Sequence, residues 1–514
     1  MPNQHDLTRR GFVVAGASLL GLTLPETGRS MFLAQPSFRA NPFALGVCSG
    51  DPLPGAVVIW TRLTPTPDDA WARERVNVDW EVATDDKFSK VVKNGSTFAT
   101  PEMGHSVHVD VTGLKPDTWY FYRFRAGGEV TKTARTKTAP AANAQNSKLN
   151  FAFASCQHYE TGYYTAYQHM VKEDLDLIVH LGDYIYEGKG VDGRVRKHTG
   201  NEINSLTDYR NRHALYKSDP HLQEAHRLFP WIVTWDDHEV DNNYAGDLPE
   251  DAQTRQAFLE RRANAYKAYF EFMPLRRTSM PVGSRLQLYR EFTYGNLAKF
   301  AVLDTRQYRT DQPCNDGTKE ACLAVFDKNA TLLGPKQEEW LKGVLGSSKS
   351  TWNILANQVM MGKVDRKAGD GEAFPMDQWA GYEEARVRMM RFFAERKNLN
   401  PIVITGDIHS NWVADLREDW RNTKAPIVGT EYVGTSITSG GDGQDVTDAA
   451  KAYLPENPQI RFANWQRGYV SCQVTPTKWT SHYRVLDKVS VPDQPIQTKV
   501  TFMTEAGKPG AIKV

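Results

Sequence analysis

The chain has 514 residues, and its 62 Lys+Arg against 61 Asp+Glu leave a formal net charge of +1. Two or three domains fit that length, and near-neutrality without a basic stripe argues against specific nucleic-acid binding. With 40% hydrophobic and 24% charged residues the composition suits a globular protein, and no apolar run after residue 40 approaches the roughly 20 residues that span a bilayer.

At the start, Arg9-Arg10 stands directly before Phe12 and an apolar run to residue 24. This pair ahead of a hydrophobic block resembles a twin-arginine (Tat) signal, here assigned to residues 1–40, with cleavage after Ala34 or Ala40. The resemblance implies engagement of the Tat machinery and delivery to the periplasm or outside the cell, with no transmembrane segment in the mature chain. Export implies an oxidising compartment, where Cys314 and Cys322 can close a local loop and Cys48 and Cys472 can pair if the fold brings them together. Of the five cysteines, Cys156 is the candidate for another task.

Residues 41–140 carry short β-branched runs between turn residues, which predicts a small all-β sandwich. Within it, Leu114-Lys115-Pro116-Asp117-Thr118-Trp119-Tyr120 resembles the tyrosine corner of fibronectin type III domains. A stretch of small and polar residues near 139–148 reads as a linker.

Beyond it, apolar runs alternate with helical stretches, the grammar of an α/β architecture. Each run ends in chemistry. Residues 149–154 deliver Ser155-Cys156-Gln157-His158, and 175–181 deliver Gly182-Asp183-Tyr184-Ile185-Tyr186-Glu187. Residues 231–235 deliver Asp236-Asp237-His238-Glu239, and 300–303 deliver Asp304-Thr305-Arg306. Residues 352–356 deliver Asn357-Gln358, and 402–405 deliver Gly406-Asp407-Ile408-His409. Ligands of open α/β sheets bind beyond the carboxyl ends of the strands, so these groups predict one metal cluster.

Cys156, Asp183, Tyr186 and His409 form a thiolate, carboxylate, phenolate and imidazole set unlike a structural zinc site and suited to Fe(III). Asp183, Asp237, Asp407 and an Asn or Gln carbonyl form an oxygen set suited to a hard divalent ion, with Asp183 bridging the two. Two adjacent metals activate a water for in-line displacement at phosphorus. His238 then orients the phosphate or protonates the leaving group, and Arg306 either grips phosphate oxygens or pairs with Asp304 or Glu239 to hold the loops.

Six strings resemble the PhoD-type alkaline phosphatases, relatives of the calcineurin-like metallophosphoesterases. They are G-V-C-S-G-D-P from Gly46, A-S-C-Q from Ala154, G-D-Y-I-Y-E from Gly182, W-D-D-H-E-V-D-N-N from Trp235, L-D-T-R-Q-Y-R from Leu303 and G-D-I-H-S-N-W from Gly406. The resemblance implies a metallophosphoesterase β-sandwich flanked by helices over residues 149–485, an N-terminal all-β fibronectin/Ig-like domain and a C-terminal tail over 486–514. It implies a ferric site of Cys156, Asp183, Tyr186 and His409 and a calcium site of Asp183, Asp237 and Asp407, with Asn357 (or Gln358) in the place of a missing histidine ligand. His238 takes the catalytic histidine position. The implied activity is hydrolysis of phosphate monoesters or diesters by metal-activated hydroxide at a mixed Fe(III)/Ca(II) centre, or a phospholipase D-like phosphodiesterase activity. An oxidoreductase lacks its marks here: no C-x-x-C-H and no G-x-G-x-x-G after a strand. A glycan-binding surface protein leaves the ligand set without a purpose. The glycine-rich segment 439–443 and the chain beyond Tyr483 are candidate walls or lids.

Overall fold

The computed structural model describes residues 36–66, 68–396 and 399–514; the twin-arginine pair and its apolar run lie outside the described residues. Strands Leu149–Ala154, Leu177–His180 and Pro230–Val233 run parallel side by side. Being covered on both faces, they read as nearly unbroken apolar runs. The pleat turns successive side chains to opposite faces. Phe151 and Phe153 therefore enter the space between two sheets, while Ala152 and Ala154 face helices.

The opposing sheet is built on strands Ala298–Val302, Trp352–Ala356, Pro401–Thr405 and Gly429–Val433, parallel in that order. Phe300, Ile354, Ile402 and Ile404 meet the first sheet in the shared core. Their alternate neighbours Ala301, Leu355 and Val403 pack outward on helices Gly334–Gly346 and Glu383–Glu395. Helices Leu206–Lys217, Pro220–Leu228 and Arg255–Phe272 cover the outer face of the first sheet. Local signals start them: Ser205 and Asp208 form a capping box, and Asp219 caps a helix whose first residue is Pro220. The result is sheet on sheet with helices on both outer faces.

The N-terminal segment forms its sandwich by sharing a sheet. Strands Val47–Leu53, Ala56–Arg62 and Ser106–Thr112 extend the first sheet, joined to it by parallel pairing of Ser49 with Pro230 and Gly50 with Trp231. Gly50 is required at that seam, because a Cβ there would lie 2.7 Å from the Trp231 carbonyl oxygen. A five-stranded sheet containing Val76–Ala83 and Trp119–Ala126 closes over these strands through Val78, Val82 and Phe124 against Val57, Ile59 and Val107. In its tyrosine corner the Lys115 backbone N–H donates to the Tyr120 hydroxyl at 2.8 Å. Residues 36–514 thus form one compact unit.

One expectation needs correction, and one open cysteine pairing is decided. The segment 486–514 is no tail: strands Ile496–Glu505 and Lys508–Lys513 complete the edge of the first sheet and add Val500, Phe502 and Ala511 to the shared core. Cys48 and Cys472 do not pair. They are buried and free on strands separated by three others. That is roughly 19 Å at the usual strand spacing, against a Cα limit of about 7 Å for a disulfide. Cys314 and Cys322 are bonded, with Cα atoms 5.8 Å apart.

Candidate metal centre

The carboxyl ends of the parallel strands in both sheets converge on one place, where a parallel bridge joins Ser155 to Ser436 across the sheets. The backbone there is unusual. Cys156 (φ +58°), Asp183 (+55°), Asp407 (+64°), His409 (+52°) and Asn243 (+48°) all hold left-handed conformations without being glycine. Each costs on the order of 1–3 kcal/mol, and such outliers gather at functional sites. At Gly182 (φ +112°) a Cβ would lie 2.5 Å from the Asp236 backbone N, so two of the converging loops touch through their main chains. The Glu239 carboxylate clamps them, accepting from the backbone N–H of Asp183 (3.1 Å), Tyr184 (2.5 Å) and Asp236 (2.8 Å).

Donor atoms of Cys156, Asp183 and His409 lie within 4.8 Å of one another. The Tyr186 hydroxyl joins them, 2.8 Å from Asp183 Oδ2 and 3.2 Å from His409 Nε2. Asp183 also groups with Asp237 and His238, and Asp237 groups with Asp236 and Asp407. The sequence thus placed both donor sets at one locus but overlooked Asp236, although it stands inside the W-D-D-H-E string.

The residues fit cations. Asp183 Oδ1, Asp236 Oδ2 and Asp237 Oδ1 are buried without a hydrogen-bond partner, which a bound cation would remedy. Burial pushes the Asp183 carboxyl well above its usual range, and Asp237, Glu239 and Asp407 add to this against His238. Burial likewise raises the Cys156 thiol, with Asp183 adding, and lifts Asp407 to about 7, with Asp377 adding. Burial, with Arg467 and His238, brings His409 down to about 3, leaving a neutral imidazole with a free lone pair. A set with sulfur, nitrogen and phenol oxygen suits a transition metal, and the all-carboxylate set suits a hard ion.

His238 is half-buried, and its Nδ1 lies 2.7 Å from Glu187 Oε2. Burial opposes its charge, but Glu187, Asp237 and Asp183 outweigh burial and hold it protonated well above its ordinary range. The role of Glu187 went unread in the sequence.

Arg306 requires correction. Its guanidinium is wholly buried, Nε donating to Asp236 at 2.5 Å and the two terminal nitrogens to Asp377 at 2.8 and 2.9 Å. The bidentate face offered to phosphate is taken. The guanidinium's loop-holding partners are Asp236 and Asp377, while Asp304 is met by the Arg306 backbone N–H at 3.1 Å. Asn357 is also occupied: its amide donates to the Val359 carbonyl at 2.5 Å, and its Oδ1 accepts from the Trp379 indole at 3.3 Å. Gln358 braces Thr234, Trp235, Leu303 and Thr305. Neither amide hydrogen-bonds a carboxylate of the cluster. Gln378 does, donating to Asp407 Oδ2 at 3.4 Å, and no sequence signal marks it or Asp377.

The glycine-rich segment walls one side. Ser439 Oγ stands 2.7 Å from the Tyr186 hydroxyl and 2.6 Å from the Cys156 carbonyl oxygen, and Asp442 accepts from the Val489 and Ser490 amides.

The profile of the PhoD-like phosphatase matches residues 151–483, and that of the PhoD-like phosphatase N-terminal domain matches residues 29–140. Alkaline phosphatase D of Bacillus subtilis (strain 168) is 49% identical over 523 aligned residues, covering 99% of this chain and 90% of that protein. A solved structure of PhoD superposes with a TM-score of 0.91 at 50% identity, covering 93% of each chain. The chain belongs to the PhoD-like phosphatase family, whose members are phosphoester hydrolases.

Proposed function

We propose that the protein is an exported alkaline phosphatase that hydrolyses phosphate monoesters and diesters at a mixed iron–calcium centre. The observation that carries this is the position of Asp183, shared between a Cys156–Tyr186–His409 set and a carboxylate set around Asp237. Cys156, Asp183, Tyr186 and His409 would hold Fe(III); Asp183, Asp237 and Asp407, with Asp236 beside them, would hold Ca(II). When bound, the metals lower the pKa of a water and offset the charge that builds on phosphate oxygens.

The chain's own groups do the rest. Glu187 keeps His238 protonated and fixes its ring through Nδ1, which leaves Nε2–H to donate to the departing alkoxide. Arg306 balances the charge of Asp236 and Asp237 from within the protein and holds their loops in register. Ser439 fixes the Tyr186 hydroxyl.

Export through the Tat route is supported by Arg9-Arg10 before its apolar block and by the Cys314–Cys322 disulfide, which suits an oxidising compartment. Among the described residues no helix is long and apolar enough to cross a membrane. The test is hydrolysis of p-nitrophenyl phosphate and bis(p-nitrophenyl) phosphate before and after chelation. Activity that disappears with chelator, returns with iron plus calcium and is absent in Asp183→Asn supports the reading; activity indifferent to chelator rejects it.

A further inference from the structure

A cleft of about 800 Å³ is lined by Arg262, Arg285, Arg309 and Lys336. Asp247 is the one acidic residue of that lining, and Arg255, from outside it, holds the Asp247 carboxylate in an ion pair. Asp377 balances Arg309. Among the described residues Arg262, Arg285 and Lys336 make no ion pair, but Asp247 lies in the field of Arg262, so Arg285 and Lys336 are the two positive charges that face the cleft uncompensated. Arg262 and Arg309 stand behind the lining, 6% and 4% exposed, with guanidinium donors already given to the Gly246 carbonyl and to Asp377. The exposed Arg285 and Lys336 are the free donors of the cleft, and a guanidinium fork beside an ammonium matches a tetrahedral oxyanion.

One short stretch of main chain connects this cleft to the centre. The Asn243 amide donates to Asp237 Oδ2 at 2.8 Å, the Gly246 amide donates to the Arg306 carbonyl at 2.9 Å, and the Gly246 carbonyl accepts from the Arg262 guanidinium. Four residues of loop thus link a carboxylate of the centre to a cation of the cleft lining.

We infer that this cleft is a second phosphate-binding subsite, filled by free phosphate or by another phosphate group of a substrate whose scissile ester lies at the centre. The inference rests on the phosphoesterase reading for its purpose, but binding itself is measured apart from turnover. Calorimetric titration of the metal-loaded protein with inorganic phosphate should resolve two sites, and Arg285→Ala/Lys336→Ala should lose one of them. Both side chains are exposed, so the variant should fold. Its kcat/KM for p-nitrophenyl phosphate, which has a single phosphate, should stay within twofold. Arg285→Lys/Lys336→Arg, which keeps the charges, should keep both sites. With an oligomeric phosphodiester, a tenfold rise in KM confined to the alanine variant assigns the subsite to substrate; an unchanged KM with the second site lost assigns it to free phosphate. A single site in the wild type, or two sites persisting in the alanine variant, overturns the inference. Failure of wild-type protein to hydrolyse p-nitrophenyl phosphate would instead reject the phosphatase reading.

Discussion

Glu187 and His238 form a partly buried pair 2.7 Å apart, with the carboxylate on the imidazole Nδ1. Because the histidine's folded pKa is raised, its acid form persists to higher pH than in a free imidazole. Glu187→Gln removes the first group that supports the charge, so the alkaline limb of the pH–rate profile should move to lower pH. General-acid catalysis is worth on the order of 10²–10⁴ in rate, so kcat at alkaline pH should fall by about a hundredfold. A profile unchanged in shape would show that His238 transfers no proton.

Arg306 is a strut within the protein, so its replacement should act on stability. Arg306→Lys cannot reproduce the bidentate contact with Asp377 while also reaching Asp236. Breaking a buried pair of this kind costs roughly 3–5 kcal/mol. Denaturant unfolding should show that loss, with little change in KM for the residual activity. A KM raised tenfold at wild-type stability would return Arg306 to the phosphate.

The sequence marks the centre because its donors sit directly after strand ends, where the chain leaves a buried apolar run and exposes polar groups on one rim. The structure brings Cys156, Asp183, Tyr186, Asp237, Asp407 and His409 together, and that meeting is legible in this way. Asn357 and Gln358 obey the same rule but satisfy loop carbonyls and neighbouring side chains, since a strand end equally needs hydrogen-bond partners. Asp377 lies in a segment without a strand-end signature, and only folding brings it to Arg306. The partnership of strand Val47–Leu53 with Pro230–Val233 was hidden for a related reason: a β-branched run states which residues are buried, not which strand lies beside it.

Tyr186 and Cys156 give a spectroscopic test. A phenolate on Fe(III) absorbs in the visible, so metal-loaded wild type should be coloured and Tyr186→Phe should lose the band. Cys156→Ala should lower iron content and activity together. Full iron with normal turnover in Cys156→Ala would remove the thiol from the ligand set.

Three histidines away from the centre make the protein acid-sensitive. Burial holds His180 down to about 3 and His213 and His226 well below their ordinary value, with the Lys217 ammonium adding to each. Above the unfolded value near 6.5 they are neutral in both states. As pH falls from there toward the folded values only the unfolded chain takes up protons, so stability is lost, by about 2 kcal/mol per histidine at pH 5. His213 stacks on Phe272 at 5.1 Å, so His213→Phe should fit. Between pH 7 and pH 5 that variant should lose about 2 kcal/mol less than wild type in urea unfolding; equal losses would contradict the assignment.

The convergence of Cys156 and His409 on one metal is best tested by anomalous diffraction from metal-loaded crystals at the iron absorption edge. The account predicts one strong iron peak within coordination distance of Cys156 Sγ, the Tyr186 hydroxyl and His409 Nε2, with a second, non-iron ion bounded by Asp183, Asp237 and Asp407. An iron peak elsewhere, or none in fully active crystals, would contradict it.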